Sequence, residues 1–352
     1  MWSELAVGYG LFILEILTLF LVIIAFIVVI LSFKQKKMHQ VGELVVTDLS
    51  QEYQKNVKRL ADFHLSEEVL KYTEKVRKKE EKQKAKAEKE KCKTGKDARN
   101  ERKPHLFVLN FKGDILASET AALREEVSAI IAVAKPEDEV LLCLESPGGV
   151  VHGYGLAASQ LARLKQHQIK LTVAVDKVAA SGGYMMACVA DKIIAAPFAI
   201  IGSIGVVAQV PNIHRLLKKH DVDVDVMTAG EYKRTVTLLG ENTDKGKQKF
   251  QKELEETHQL FKQFVVQHRP QIDVEQIATG EHWFGQQALK LNLIDEITTS
   301  DDLILQAIKV KTVLAVKYKV KKSLVQKLGK QAEESIETIV LRCLKGTGRT
   351  GI

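Results

Sequence analysis

Leu171-Thr-Val-Ala-Val-Asp-Lys-Val-Ala-Ala-Ser-Gly-Gly-Tyr184 is the stretch that decides the fold. An apolar run with one polar residue, 171–175, leads to a serine set among small residues, and a helical-looking run, 182–190, follows at once. A strand that is apolar on nearly every side chain belongs inside a parallel sheet, buried on both faces. Residues 106–111, 140–144, 192–196, 205–210 and 222–227 have the same branched, apolar character. Helical patterns lie between them at 118–134, 151–167, 182–190 and 212–220. Strands alternating with helices predict an α/β domain with a largely parallel sheet.

Further along, a long charged helix is expected near 243–268 and a last recognisable unit at 278–297. The apolar stretch 193–210 is interrupted by Pro197, Gly202 and Gly205. It is read as two short buried strands and a turn, not as a membrane helix.

Residues 11–31 form an apolar run broken only by Glu15 and Thr18. At 1.5 Å per residue such a run spans roughly 30 Å, the thickness of a bilayer core. No basic residue precedes it and no small-x-small cleavage site closes it, so a retained anchor is expected over a cleaved signal peptide. Lys34, Lys36 and Lys37 follow the run, and the positive-inside bias orients what comes after to the cytoplasm.

The 352-residue chain carries a net charge of +8. Residues 71–103 hold 15 Lys/Arg against 7 Asp/Glu, which accounts for all of that excess. The remainder is formally neutral, and the basic stretch lacks interleaved aromatic residues. A nucleic-acid partner is therefore not expected; a solvated helix or linker is, with attraction to anionic lipid headgroups as the functional alternative. Cys143 and Cys188 sit in apolar runs and are expected to be buried thiols. The four cysteines have no metal or redox spacing, and no cofactor or metal motif is present. The expected divisions are an anchor at 1–33, a helical Lys/Glu-rich region at 34–103, the folded domain at 104–300 and a basic extension at 301–352.

Three pieces carry chemistry. Ser146-Pro147-Gly148-Gly149 follows the strand at 140–144, and glycines at a strand end leave backbone N–H groups open to a carbonyl oxygen. Ser181 stands at the start of a helix, where unpaired N–H groups favour developing negative charge. Gly182 and Gly183 behind it admit a substrate close to the backbone. Lys233, in Ala-Gly-Glu-Tyr-Lys, is a base only as the free amine, and Tyr232, Val236, Leu238 and Leu239 are expected to furnish the apolar pocket that favours it. A serine at a strand-to-helix junction with a lysine available as base is the layout of a Ser–Lys hydrolase. A Ser–His–Asp set drawn from Ser181, His152 and Asp176 is the rival.

These motifs resemble the protease-IV, or signal peptide peptidase A, family, and more closely its SohB-type branch of inner-membrane serine peptidases. The resemblance runs over most of 104–300. It rests on Ser-Pro-Gly-Gly at 146–149, Ala-Ser-Gly-Gly-Tyr at 180–184, Gly-Ser-Ile-Gly-Val at 202–206, Gly-Glu-Tyr-Lys at 230–233 and Ala-Thr-Gly-Glu-His-Trp-Phe-Gly at 278–285. It implies a crotonase/ClpP-like fold of repeated ββα units, Ser181 as nucleophile, Lys233 as general base and Gly149 and Gly182 as oxyanion donors. Gly148 and Gly183 are expected to contact substrate. The implied partners are polypeptide substrates, signal peptides or other membrane-associated or unfolded chains, together with the lipid bilayer. A homo-oligomer is implied in which Lys233 of one copy serves Ser181 of another. The family pattern continues its lysine motif with a small residue and Pro-Phe; here Arg-Thr-Val-Thr-Leu-Leu follows, so one pocket wall differs. The alternatives on the same architecture are an acyl-CoA enzyme and a membrane-tethered scaffold that binds peptides without cleaving them.

Overall fold

The computed structural model describes residues 13, 16–20, 42–93 and 102–320. Nearly all of the apolar run at 11–31, and the basic tail beyond 320, lie outside the described residues. Among the described residues no helix is long and apolar enough to cross a membrane. One compact unit spans Leu44–Tyr318.

A seven-stranded sheet has the order β1-β10-β2-β3-β4-β6-β9. Its strands are β1 (Gly42–Asp48), β2 (His105–Lys112), β3 (Glu139–Glu145), β4 (Lys170–Val175), β6 (Lys192–Ala195), β9 (Glu296–Ile297) and β10 (Thr312–Val320). The pairs from β10 through β9 are all parallel. A second sheet, β5-β7-β8, is made of β5 (Val178–Ala180), β7 (Ile200–Gly202) and β8 (His282–Phe284).

Side-chain alternation explains why the large sheet is covered on both faces. Phe107, Leu109, Phe111, Val140, Leu142, Leu144, Leu171, Val173 and Ile193 point to one side and join the larger core. There they meet α3 (Thr120–Val133) through Leu123, Val127 and Ile130, and α4 (Val151–Gln166) through Leu161 and Leu164. The intervening Leu106, Val108, Leu141, Ala174 and Ile194 point the other way and pack on α10 (Ser300–Val310). A strand buried on both faces has no polar register to keep. Each fully buried leucine contributes about 1.5–3 kcal/mol.

The remaining helices are α1 (Leu49–Asp62), α2 (Glu67–Lys93), α5 (Gly182–Ala187), α6 (His214–Lys219), α7 (Asp244–His268), α8 (Val274–Ile277) and α9 (Gly285–Lys290). The end of α7 is fastened through Arg269, which is almost fully buried. Its guanidinium donates to both Asp295 carboxylate oxygens, at 2.9 and 2.8 Å, and to the Asn292 carbonyl. Asp295 also accepts the Ile193 N–H at 2.7 Å, so one carboxylate joins α7 to β6.

Three expectations need amendment. Residues 205–210 and 222–227 are not strands: neither joins a ladder with another described strand, and Val207 and Met227 are 85% and 90% exposed. The sheet continues past residue 300, since α10 covers one face and β10 lies between β1 and β2. Residues 42–48, inside the region 34–103 expected to be helical, form the edge strand β1. The stretch 193–210 does contain two short strands, β6 and β7, before its irregular end.

Candidate active site

The site is built where strands of the large sheet hand over to the small one. Directly after β3 stands Ser146, whose N–H donates to Val178 O and whose carbonyl accepts from Ala180 N at 3.0 Å. That bridge ties the end of β3 to β5, the strand that delivers Ser181. Ser146 is fully buried, and its Oγ lies 2.6 Å from the Tyr154 hydroxyl, which donates to Asp114 O at 2.8 Å. With that donor used, Ser146 Oγ–H donates to Tyr154 and accepts the Gly148 N–H at 3.1 Å. Burial pushes the Tyr154 phenol above its ordinary value, so it stays a donor.

This chain of bonds shapes the turn at Gly148, where φ is +90°. A Cβ there would lie 2.7 Å from Ala180 O, 2.8 Å from Ser181 Cβ and 2.9 Å from Gly182 N. Gly148 thus touches the serine itself. The next residue, Gly149, is closed on its side-chain side by the Ile115 carbonyl, which also accepts the Val150 N–H.

Ser181 is the N-cap of α5 with φ 51° and ψ −116°, and its hydroxyl does not cap the helix. A non-glycine residue in that region costs about 1–3 kcal/mol and is held only by strong surroundings. Here Ser181 N–H donates to Gly202 O at 2.8 Å and Ser181 O accepts from Met185 N. The helix behind it is buried throughout, and the Tyr184 hydroxyl donates to Leu293 O at 2.9 Å. The sharp strand-to-helix turn aims the Ser181 side chain outward into a cleft, as a nucleophile elbow does.

That cleft has a volume of roughly 800 Å³ and brings together Ser181, Gly182, Gly148 and Gly149. Apolar side chains line it: Ile115, Met185, Val206, Val207 and Phe261. The N–H groups of Gly149 and Gly182 have no hydrogen-bond partner among the described residues. Two free N–H groups beside a hydroxyl can hold the oxygen of a carbonyl that the hydroxyl attacks.

The other expected residues fall elsewhere. Gly183 is buried away from the cleft, its open side against the Ser146 carbonyl, so it serves close packing of α5 on the end of β3. Lys233 is exposed and is not among the cleft-lining residues. Its expected apolar pocket is not formed within one chain: Tyr232, Leu238 and Leu239 are each at least 40% exposed. The segment around it is nonetheless held to α7, by the Lys245–Glu231 ion pair at 2.6 Å and by Lys249 over the Tyr232 ring. Asp176 accepts two hydrogen bonds from Ser300, and His152 is exposed on α4. Neither lines the Ser181 cleft, so the two do not form a triad with it. Cys143 is raised to about 11 by burial, and burial raises Cys188 as well, as inert thiols.

Sequence reasoning had not singled out Ser203, Thr257, His258 and Thr279, which complete the cleft. His258 Nε2 donates to Ile204 O at 3.2 Å, and Ser203 N–H donates to Glu281 O at 2.6 Å. Two of the quoted motifs explain this wall, because Gly202 pairs with His282 across β7 and β8, against the ring of Trp283. The α7 contributors were hidden in a helix that reads as charged; the Thr257 and Phe261 spacing was the available signal.

Residues 4–161 match the family model described as peptidase family S49 N-terminal, and residues 163–331 match peptidase family S49. A probable protease SohB of Haemophilus influenzae is 67% identical over 342 residues, covering 97% of each chain. A probable protease SohB of Buchnera aphidicola is 49% identical over 302 residues, 86% of this chain and 99% of that one. Among solved structures, a mutant of a membrane-bound stomatin-specific protease covers 58% of this chain and 84% of its own at 15% identity, with a TM-score of 0.38.

Proposed function

We propose that this chain, which belongs to peptidase family S49, is a membrane-anchored serine endopeptidase with Ser181 as nucleophile and Lys233 as general base. The observation that carries the reading is the strained Ser181 at the mouth of a cleft, flanked by the open N–H groups of Gly149 and Gly182. A substrate carbonyl bound there is attacked by Ser181 Oγ while a neutral Lys233 amine takes the proton. The two glycine N–H groups hold the oxyanion. The amine product leaves with the proton returned by Lys233, and water then releases the acyl group from Ser181.

Lys233 acts on the Ser181 of another copy. Supporting this, Lys233 stands outside its own cleft, and the segment that carries it exposes Val222, Val226, Met227, Tyr232, Leu238 and Leu239. A neighbouring copy that covers those side chains also supplies the water-poor surroundings a lysine base needs. The succession β4–β5–α5, from a strand of the large sheet to a strand of the small sheet to a helix, supports the crotonase/ClpP-like assignment. The apolar run 11–31 supports a single-pass anchor. The substrates are polypeptides, and the apolar cleft walls favour apolar segments such as those of signal peptides or unfolded chains.

The test co-expresses Ser181→Ala with Lys233→Ala. Each variant alone is inactive on unfolded casein, and verified mixed assemblies regain activity. Mixed assemblies without activity refute a shared site. Full activity of Ser181→Ala alone refutes the nucleophile.

A further inference from the structure

Helices α1 and α2 carry an apolar stripe that no described residue covers. On α1, Tyr53, Val57 and Leu60 recur at helical spacing, and Leu60 is 78% exposed; Phe63 follows at 79%. The start of α1 is anchored by Leu49 in the smaller core and by Ser50 Oγ, which accepts the Val313 N–H. On α2, Val69, Tyr72 and Val76 are exposed, Tyr72 at 70%.

Most of the cations of α2 up to residue 86 fall on one side of it, Arg77 and, by sequence spacing, Lys84 being the exceptions. At about 100° per residue, Lys71, Lys75, Lys78, Lys79, Lys82 and Lys86 fall within one arc of about 100°. Of the two acidic side chains described there, Glu68 in the first turn shares that arc, and Glu74 lies outside it and pairs with Lys78 at 3.9 Å. Val69, Tyr72 and Val76 occupy the adjoining 60° or so. The half-buried Leu70, Thr73 and Arg77 lie opposite the lysines, and Arg77 is turned toward α1, donating to both Asp62 oxygens at 2.8 and 3.2 Å. The face turned away from α1 is therefore a lysine stripe beside an apolar stripe.

We infer that this face of α2 lies on the surface of an anionic bilayer, with the apolar side chains at the headgroup boundary and the lysines on the lipid phosphates. A basic stripe beside an apolar one is the pattern of an interfacial helix. Lysines near an anionic leaflet each add about fivefold to partitioning. Charge complementarity selects an anionic lipid surface over a second copy, whose α2 presents the same positive stripe. Valines at the stripe's edge favour lipid over a nucleic acid. The inference rests on the membrane-anchored reading, since the apolar run 11–31 precedes these helices in the chain.

The test reconstitutes the full chain carrying Tyr72→Trp into bilayers with brominated acyl chains, the parent chain supplying the background of its two tryptophans. Trp emission from position 72 is quenched in bilayers containing phosphatidylglycerol and not in phosphatidylcholine alone. Adding Lys75→Gln, Lys78→Gln, Lys79→Gln and Lys82→Gln removes the quenching while casein hydrolysis in detergent is unchanged. A chain that floats with phosphatidylglycerol vesicles but stays unquenched overturns the inference and leaves the anchor standing. Equal quenching without anionic lipid overturns it too, as does a blue shift in detergent that vanishes on dilution, the mark of a second copy. Release of the helix from the bilayer by an RNA duplex overturns it in favour of nucleic acid. A chain that does not float with vesicles at all refutes the anchor, and this inference with it.

Discussion

Gly148→Ala is the substitution that tests how the cleft is assembled. The new Cβ meets Ala180 O, Ser181 Cβ and Gly182 N at 2.7–2.9 Å, where ordinary contact begins near 3.4 Å. Something must therefore move by about 0.5–0.7 Å. None of the three atoms ends a flexible side chain: two are backbone and one is the Cβ of the proposed nucleophile. The backbone at φ +90° also suits no L side chain, which adds about 1–3 kcal/mol of strain. A misplacement near 1 Å at reacting groups costs about 10²-fold, so kcat for peptide hydrolysis should fall by at least about tenfold. Folding suffers less: the strain corresponds to a Tm decrease of roughly 2–10 °C. The assay is kcat on a fluorogenic peptide beside thermal denaturation, with the rate of Ser181 labelling by a fluorophosphonate as a third reading. Wild-type kcat and labelling in a folded Gly148→Ala chain would refute the claim that Gly148 sits against the serine.

Other expectations concern stability. Tyr154→Phe leaves Asp114 O and Ser146 Oγ each short of a partner and should cost about 1–3 kcal/mol in urea denaturation. Asp295→Ala strands the buried Arg269 guanidinium and should cost about 3–5 kcal/mol by the same measurement, more than Arg269→Met, which removes the charge as well. Asp138 is buried, which alone would raise its carboxyl, but the Lys135 and His105 N–H groups and the Arg102 guanidinium outweigh that and hold it below 3.8. Its contribution is thus present above pH 3.8 and lost as pH falls through the lower folded value. Asp138→Asn should show a shallower loss of stability on acidification than wild type. Burial raises the Glu126 carboxyl, so its contribution runs oppositely, present at acid pH and lost as pH rises through the folded value. Glu126→Gln should gain most over wild type near neutral pH.

Much of the parallel sheet was legible because β2, β3, β4 and β6 are apolar on both faces, a pattern with few other uses. Edge strands were harder. β10 alternates lysines with apolar residues and so reads as a basic extension, and β1 has no fully buried residue. The stretches 205–210 and 222–227 show the converse error: branched residues favour a strand only where another strand is there to pair. At the site, Ser181 and the glycines were visible because a turn of positive φ and close approach restricts residue type. The wall from α7 was not, since Thr257 and His258 become cleft residues only once Arg269 and Asp295 have fixed the helix against β6. Lys233 was legible as a motif, but within one chain it is exposed and outside the Ser181 cleft, and the shared site proposed for it lies between copies, which one sequence does not display.

The most direct measurement is peptide mapping by mass spectrometry after the assembled protein reacts with a fluorophosphonate, run beside hydrolysis of unfolded casein. One adduct per chain is expected on Ser181, absent in Ser181→Ala and forming far more slowly in Lys233→Ala, although both variants stay folded. An adduct on a different residue, or casein hydrolysis that persists in Ser181→Ala, would contradict it.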